Sequence, residues 1–145
     1  MRVLALDLGA KRTGVAVGDD ETRIATPLLT IDTGSETERW RQLDKLIAEE
    51  QPDAIIVGVP FNMDGTTGPA ATSALAFIEE AATRFKLPIH PQDERLTSAA
   101  ADEAMARTGL THGQKKQRRD ALAAAAILRA WFEAGSRDTK SDRSA

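Results

Sequence analysis

Residues 3–18, VLALDLGAKRTGVAVG, decide how the fold begins. Two apolar runs, 3–8 and 14–18, have the composition of short strands, and 9–13 has that of a turn. Because a parallel pair needs a long crossover, so short a connection predicts an antiparallel hairpin. Asp7 lies near the end of the first run, where an ionised carboxylate among aliphatic side chains is costly unless a cation or several donors compensate it. Its position suggests a metal or phosphate site.

Outward from this hairpin, the chain alternates between strand and helix patterns. A third strand-like run at 24–31 is interrupted by Pro27, and capping-box spacing from Ser35 to Glu38 predicts the start of a helix. The later segments are a buried strand at 54–59, a helix at about 69–85, a strand at 87–92, a helix at 98–108 and a last helix at about 116–132. This order, βββαβαβα, predicts an α/β fold: a mixed five-stranded sheet flanked by helices, with right-handed crossovers extending the meander in parallel.

The composition is that of one ordinary globular domain. The chain has 145 residues, of which 41% are hydrophobic and 28% charged. We expect a folded domain at 1–134 and a flexible tail at 135–145, where the sequence is polar and lacks periodicity. The absence of cysteine excludes disulfides and thiolate metal sites. No apolar run could cross a membrane and the first residues do not follow signal-peptide order, so we expect a cytoplasmic protein.

Two further acids occupy positions where strand ends and helix starts meet in such a sheet. Glu94 follows the fifth predicted strand, and Asp120 lies early in the last helix. Counting along that helix from Asp120 reaches an apolar stripe at 123, 124, 127 and 131, so Asp120 shares the face that packs on the sheet. Three carboxylates without cysteine or clustered histidine fit oxygen-ligated Mg²⁺ or Mn²⁺. Two such ions about 3.5–4 Å apart can clamp a phosphodiester for hydrolysis.

Each acid also has a plainer interpretation. Asp7 could cap the turn that follows it, and Asp120 could simply complement the helix dipole. The segment Asp93-Glu94-Arg95 could be a solvated loop with an ion pair, and spacing alone does not choose between Asp93 and Glu94. The metal hypothesis therefore depends on the three acids coming together.

Four separated motifs resemble a known family. They are ALDLGAKRTGVA at 5–16, VGVPFNMDG at 57–65, DERLTS at 93–98 and DALAA at 120–124. In this order they resemble the signatures of the YqgF/RuvX family, Holliday-junction-resolvase-like members of the ribonuclease H superfamily, over about residues 2–132. The resemblance implies a ribonuclease H-like fold and a nuclease that processes the 5′ end of precursor 16S ribosomal RNA in the cytoplasm. It also implies that Asp7, Glu94 and Asp120 are the catalytic, metal-binding acids, and so favours Glu94 over Asp93.

Basic and polar residues near the acids are candidates for substrate binding. Four bases begin the last helix, where the helix dipole disfavours them, which points to phosphate contacts. Asn62 is the best polar candidate in the long loop after the buried strand, whose glycines and following helix could expose amides to a phosphate. The predicted substrate-binding residues are Lys11, Arg12, Asn62, Lys115, Lys116, Arg118 and Arg119.

Several alternatives remain open at this point. The same chemistry could resolve branched DNA instead of cutting structured RNA. A non-catalytic RNA-binding ribosome assembly factor could keep the acids for shape, and Asp7-Leu8-Gly9 with Thr13-Gly14 also resembles the phosphate loop of actin-like ATPases and sugar kinases. Those ATPases use two such domains, and this chain has room for one. A resolvase would favour a homodimer over a monomer, because a junction is two-fold symmetric.

Overall fold

The computed structural model describes the backbone of residues 1–95 and 112–144, and the side chains of residues 1–95 and 119–135. Its strands are β1 (Arg2–Leu8), β2 (Arg12–Asp19), β3 (Ile24–Asp32), β4 (Ala54–Val59) and β5 (Ile89–Asp93). Its helices are α1 (Glu36–Glu50), α2 (Pro69–Phe85) and α3 (His112–Ser144). The helix predicted at 98–108 lies outside the described residues.

The five strands form one mixed sheet in the order β3-β2-β1-β4-β5. The pairs β1–β2 and β2–β3 are antiparallel, while β1–β4 and β4–β5 are parallel. This confirms the predicted meander followed by parallel crossovers. Pro27 is tolerated because β3 is an edge strand, and the pairing register shifts next to it between Val15 and Ala16.

Helices cover both faces of the sheet. On one face α1 and α2 pack on Leu4, Leu6 and Val57, and Trp40 stacks on Phe77 with ring centroids 4.7 Å apart. The other face packs against α3. The strand side chains on this second face alternate along the strands with those on the first face, and they contact apolar residues of α3. The strand residues are Val3, Ala5, Ala16 and Ile56, and the helix residues are Ala124, Ala125, Ile127 and Leu128. Since β4 is buried along its whole length, the middle of the sheet is a rigid platform.

Among the helices that the structure describes, the last one has boundaries that differ from the predictions. Ser35 caps α1 as predicted, its hydroxyl accepting from the Glu38 amide at 3.2 Å. The last helix, however, begins at His112 rather than near 116 and continues to Ser144 rather than ending near 132. Its apolar periodicity stops at Phe132, so the sequence pattern marks the packed part of the helix and not its ends.

Candidate active site

Two of the three predicted acids, Asp7 and Glu94, meet at one end of the sheet, on the side that α3 covers. Asp7 is the last residue of β1 on the face that α3 covers, which it shares with Val3 and Ala5. It pairs with Gly14 on β2. Glu94 directly follows β5, and Asp120 lies on α3 at the point where this helix crosses β2. Three different elements thus bring their acids to one end of the sheet.

Two glycines create the space for these acids. A Cβ atom on Gly58 of β4 would lie 2.3 Å from Glu94 Oε2 and 2.5 Å from Ile127 Cδ1, so the Glu94 carboxylate rests directly on the β4 backbone. A Cβ atom on Gly14 would lie 1.8 Å from the Asp120 carbonyl oxygen. The α3 backbone therefore approaches β2 more closely than any side chain would allow.

Asp7 and Glu94 form a coupled pair. Burial and the negative charge of Asp7 raise the pKa of Glu94 from 4.5 to about 7. The pKa of Asp7 is also raised, first by burial and then by the charge of Asp120, while a hydrogen bond with Glu94 opposes this rise. At neutral pH the pair is thus poised to hold one proton, which Glu94 donates to the Asp7 carboxylate.

Asp120 forms an ion pair with a basic residue, Arg12. Its Oδ2 atom lies 3.2 Å from Arg12 Nε as an ion pair, but the two atoms lack hydrogen-bond geometry and Oδ2 is buried with no hydrogen-bond partner. Burial raises the pKa of Asp120, and the positive charges of Arg12 and Arg119 act against this. Within the described residues, no three acidic or histidine side chains lie close enough to hold a metal ion as they stand.

Asp93 and Glu94 have different surroundings. The Asp93 carboxylate accepts from Arg95 Nε and from Arg95 Nη2 at 2.6 Å, and these hydrogen bonds keep its pKa below the usual range. Glu94 instead interacts with Asp7. Of the two acids that spacing could not separate, Glu94 is therefore the one beside Asp7.

The predicted substrate-binding residues are not all in one place. Lys11 is exposed in the β1–β2 turn and Arg12 is half-buried beside Asp120. Arg119 is exposed next to the same acid, while the side chains of Lys115, Lys116 and Arg118 lie outside the described ones. Asn62 holds its own loop together, since its side-chain amide donates to Thr66 Oγ1 at 2.9 Å.

An apolar pocket of about 270 Å³ adjoins the Asp7–Glu94 pair. Its other lining residues are Pro60, Phe61, Met63, Arg95, Ala123 and Ile127. The sequence predictions did not include Phe61, Met63 or Arg95 among the site residues. A signal was present, because Phe61 and Met63 are large apolar residues in an otherwise polar loop that follows a buried strand.

Comparison with known proteins identifies the family of the chain. The family model RuvX, described as Holliday junction resolvase, matches residues 1–134. The chain belongs to the RuvX family. A relative from Pseudomonas putida named "Putative pre-16S rRNA nuclease" is 44% identical over 92% of this chain and 96% of its own. One of the same name from Dechloromonas aromatica is 44% identical over 90% of each chain. The family assignment made from the four motifs is confirmed.

Solved structures similar to this RuvX-family protein show the same fold. Thermus thermophilus RuvC in complex with a Holliday junction substrate matches with a TM-score of 0.61 and 20% identity, covering 94% of this chain and 96% of that one. The Fowlpox virus resolvase in complex with Holliday junction DNA matches with a TM-score of 0.59 and 11% identity, over 92% and 98%. The predicted ribonuclease H-like sheet is confirmed. In the described part of the chain, no helix is both long enough and apolar enough to span a bilayer.

Proposed function

We propose that this protein is a metal-dependent nuclease that hydrolyses phosphodiester bonds of precursor 16S ribosomal RNA, the substrate in its relatives' names. The observation that carries the proposal is the Asp7–Glu94 pair, two hydrogen-bonded and largely buried carboxyl groups with raised pKa values near a third acid. Buried carboxylates with raised pKa values are costly for stability and are typical of functional sites. Such a role implies action in the cytoplasm.

Asp7, Glu94 and Asp120 fit Mg²⁺ or Mn²⁺ by their chemistry. All three offer oxygen ligands, and the Asp120 Oδ2 atom is buried with no hydrogen bond. Two carboxylates that must otherwise share a proton gain from a nearby dication. When bound, one or two such ions would activate water and stabilise the leaving oxygen. Holding one ion with all three acids would require these side chains to come closer together than they stand, since no three acidic or histidine side chains in the described part of the chain are within reach of one ion.

Lysine and arginine side chains of the protein would attract the substrate to these acids. A cluster of carboxylates repels a phosphodiester, so positive charge must surround the site for the backbone to approach. Arg12 is well placed for this, because it lies against Asp120 and is still about one-third exposed, its side chain having a relative accessibility of 32%. We assign phosphate contacts to Lys11, Arg12 and Arg119, and from the sequence we propose the same role for Lys115, Lys116 and Arg118. Asn62 holds the shape of its own loop through its hydrogen bond to Thr66 and stays a candidate for substrate contact.

One cleavage assay tests the proposal. Precursor 16S ribosomal RNA and a four-way DNA junction are incubated with Mg²⁺ or Mn²⁺ and with wild type or Asp7→Asn. We expect RNA cleavage that falls about a hundredfold or more in Asp7→Asn, the loss typical of removing one preorganised electrostatic contact. The matched control is Asp20→Asn, an exposed aspartate that pairs with the N-terminus at the other end of the sheet.

The other outcomes identify the alternatives. Cleavage unaffected by Asp7→Asn would contradict the assignment of the acids. Cleavage of the junction in preference to RNA would support the branched-DNA resolvase, which the description of the RuvX family favours. Tight RNA binding without cleavage would support an assembly factor.

A further inference from the structure

We infer that the pocket beside the Asp7–Glu94 pair binds one unpaired nucleobase next to the scissile phosphate, so that the substrate is single-stranded at the cut. The inference rests on the proposed nuclease function and adds the form of RNA that the site accepts. The pocket is continuous with the acids, since Asp7 and Glu94 form part of its wall. A nucleobase in the pocket would therefore belong to a nucleotide whose phosphate lies next to these acids.

The pocket has the size of one base. Its volume is about 270 Å³. A cavity of about 150 Å³ is known to hold benzene, so this pocket has room for a purine or a pyrimidine but not for a base pair.

The pocket is lined by side chains on which nucleobases can stack. Phe61 offers an aromatic ring, and Met63 is a flexible, polarisable side chain that is 79% exposed. The Arg95 guanidinium uses its edge for hydrogen bonds, through Nε and Nη2 to Asp93 and through Nη1 to the Met63 carbonyl at 3.4 Å. Because these hydrogen bonds use the N–H groups at the edge of the guanidinium, its planar face is the part that would stack on a base.

The apolar wall is fixed relative to the acids. The amides of Phe61 and Glu94 donate to the same carbonyl oxygen, that of Val59, at 3.0 and 3.2 Å. Beyond Phe61 the loop is closed by hydrogen bonds between Asn62 and Thr66 and by a turn at Gly65, whose φ is 86°. A base on Phe61 would therefore hold the adjoining phosphate at a set distance from Glu94.

A paired base cannot enter this pocket without leaving its helix. Unpairing and unstacking a base costs a few kcal/mol, whereas a base in a single strand is already available. The pocket therefore favours single-stranded RNA over duplex RNA, and places the cut beside the captured base.

The test is a scan with abasic nucleotides. A single-stranded RNA oligonucleotide spanning the 5′ precursor boundary is made with one base removed at a time, and kcat/KM is measured for wild type, Phe61→Ala and Met63→Ala. We expect one position next to the cut where base removal lowers kcat/KM about tenfold in wild type, as for loss of one stacked base. At that position Phe61→Ala should lose little further, because the two changes remove the same contact.

Controls separate this inference from the nuclease proposal. Ile24→Ala, which trims an exposed apolar side chain on β3, should behave as wild type. Suppose that Asp7→Asn abolishes cleavage, but that base removal at every position affects wild type, Phe61→Ala and Met63→Ala equally. The inference of a base-binding pocket would then be wrong, while the proposed nuclease function would be supported. Equal cleavage after annealing a complementary strand across the cut would also overturn the inference.

A binding measurement covers the case in which no RNA is cleaved. The same oligonucleotide carrying 2-aminopurine is titrated with protein. Quenching by wild type that is lost in Phe61→Ala would support the pocket independently of catalysis. Equal fluorescence with wild type and variant at every position would overturn it.

Discussion

Gly58 shows how the lack of one side chain sets the position of Glu94, one of the proposed catalytic acids. The Glu94 carboxylate occupies the space that a Cβ atom would fill, and Ile127 closes the same space from α3. The end of a glutamate side chain can move at little cost, whereas an isoleucine packed in the core cannot. The effects of filling this space on activity and on stability should therefore be separable.

We expect Gly58→Ala to lower both stability and cleavage. Overpacking against Ile127 should cost about 1–3 kcal/mol, and displacement of Glu94 should reduce kcat. Adding Ile127→Val removes the Cδ1 atom in contact and should restore most of the stability lost, but not the cleavage. Denaturant unfolding and initial rates measure the two effects. Recovery of full activity in the double variant would show that Glu94 is not positioned by Gly58.

The raised pKa of Glu94 predicts a pH dependence of stability. Because its folded pKa of about 7 exceeds the ordinary 4.5, Glu94 contributes stability below about pH 4.5 that is lost as the pH rises through 7. In metal-free buffer, the free energy of unfolding of wild type relative to Glu94→Gln should fall on the order of 1 kcal/mol over this range, a value reduced for solvent screening. Parallel pH profiles for the two proteins would refute the raised pKa of Glu94.

At the scale of the elements, the contact between α3 and β2 determines where the third acid lies. The helix backbone at Asp120 fits against Gly14, and the packed part of the helix continues along the sheet to Phe132. The position of Asp120 is thus a property of how a whole helix sits on the sheet.

We expect Gly14→Ala to be among the most damaging single changes. A Cβ atom 1.8 Å from a backbone carbonyl forces the helix itself to move, which should cost about 3 kcal/mol or more. Gly34→Ala is the matched control, because a Cβ atom there meets nothing within 4 Å. Thermal unfolding compares the two variants. Similar melting temperatures for both would contradict the close approach of α3 to β2.

At the scale of the whole molecule, we propose that the folded domain ends near residue 134. The family match covers residues 1–134, and Phe132 is the last buried residue among the α3 side chains that the structure describes, which end at 135. Deleting 135–145 should therefore change the free energy of unfolding by no more than about 0.5 kcal/mol, the range of surface substitutions. Urea unfolding of the truncated and complete chains tests this. A loss of several kcal/mol would show that the end of α3 contributes to the folded domain.

Local patterns in the sequence were sufficient for the sheet and for the face of the last helix. Alternating and continuous apolar runs identified all five strands, and the spacing from Asp120 to Ile127 placed that acid on the side facing the sheet. The ends of α3 were not predictable, because the polar residues on either side of its packed part carry no periodic signal.

The electrostatics of the site could not be predicted in the same way. The raised pKa values of Asp7 and Glu94 and the ion pair between Arg12 and Asp120 depend on contacts between residues far apart in the chain. The apolar pocket arises where a loop closes over a strand end. Such features are set by tertiary packing, about which single-residue patterns carry little information.

The order of the three acids along the chain has a consequence for protein synthesis. Asp7 comes from the first strand, Glu94 follows the fifth, and Asp120 belongs to the last helix. A chain emerging from the ribosome can fold its early hairpin long before the final helix exists. A chain that ends before residue 120 lacks the third carboxylate, so the three acids can come together only late in the synthesis of the domain.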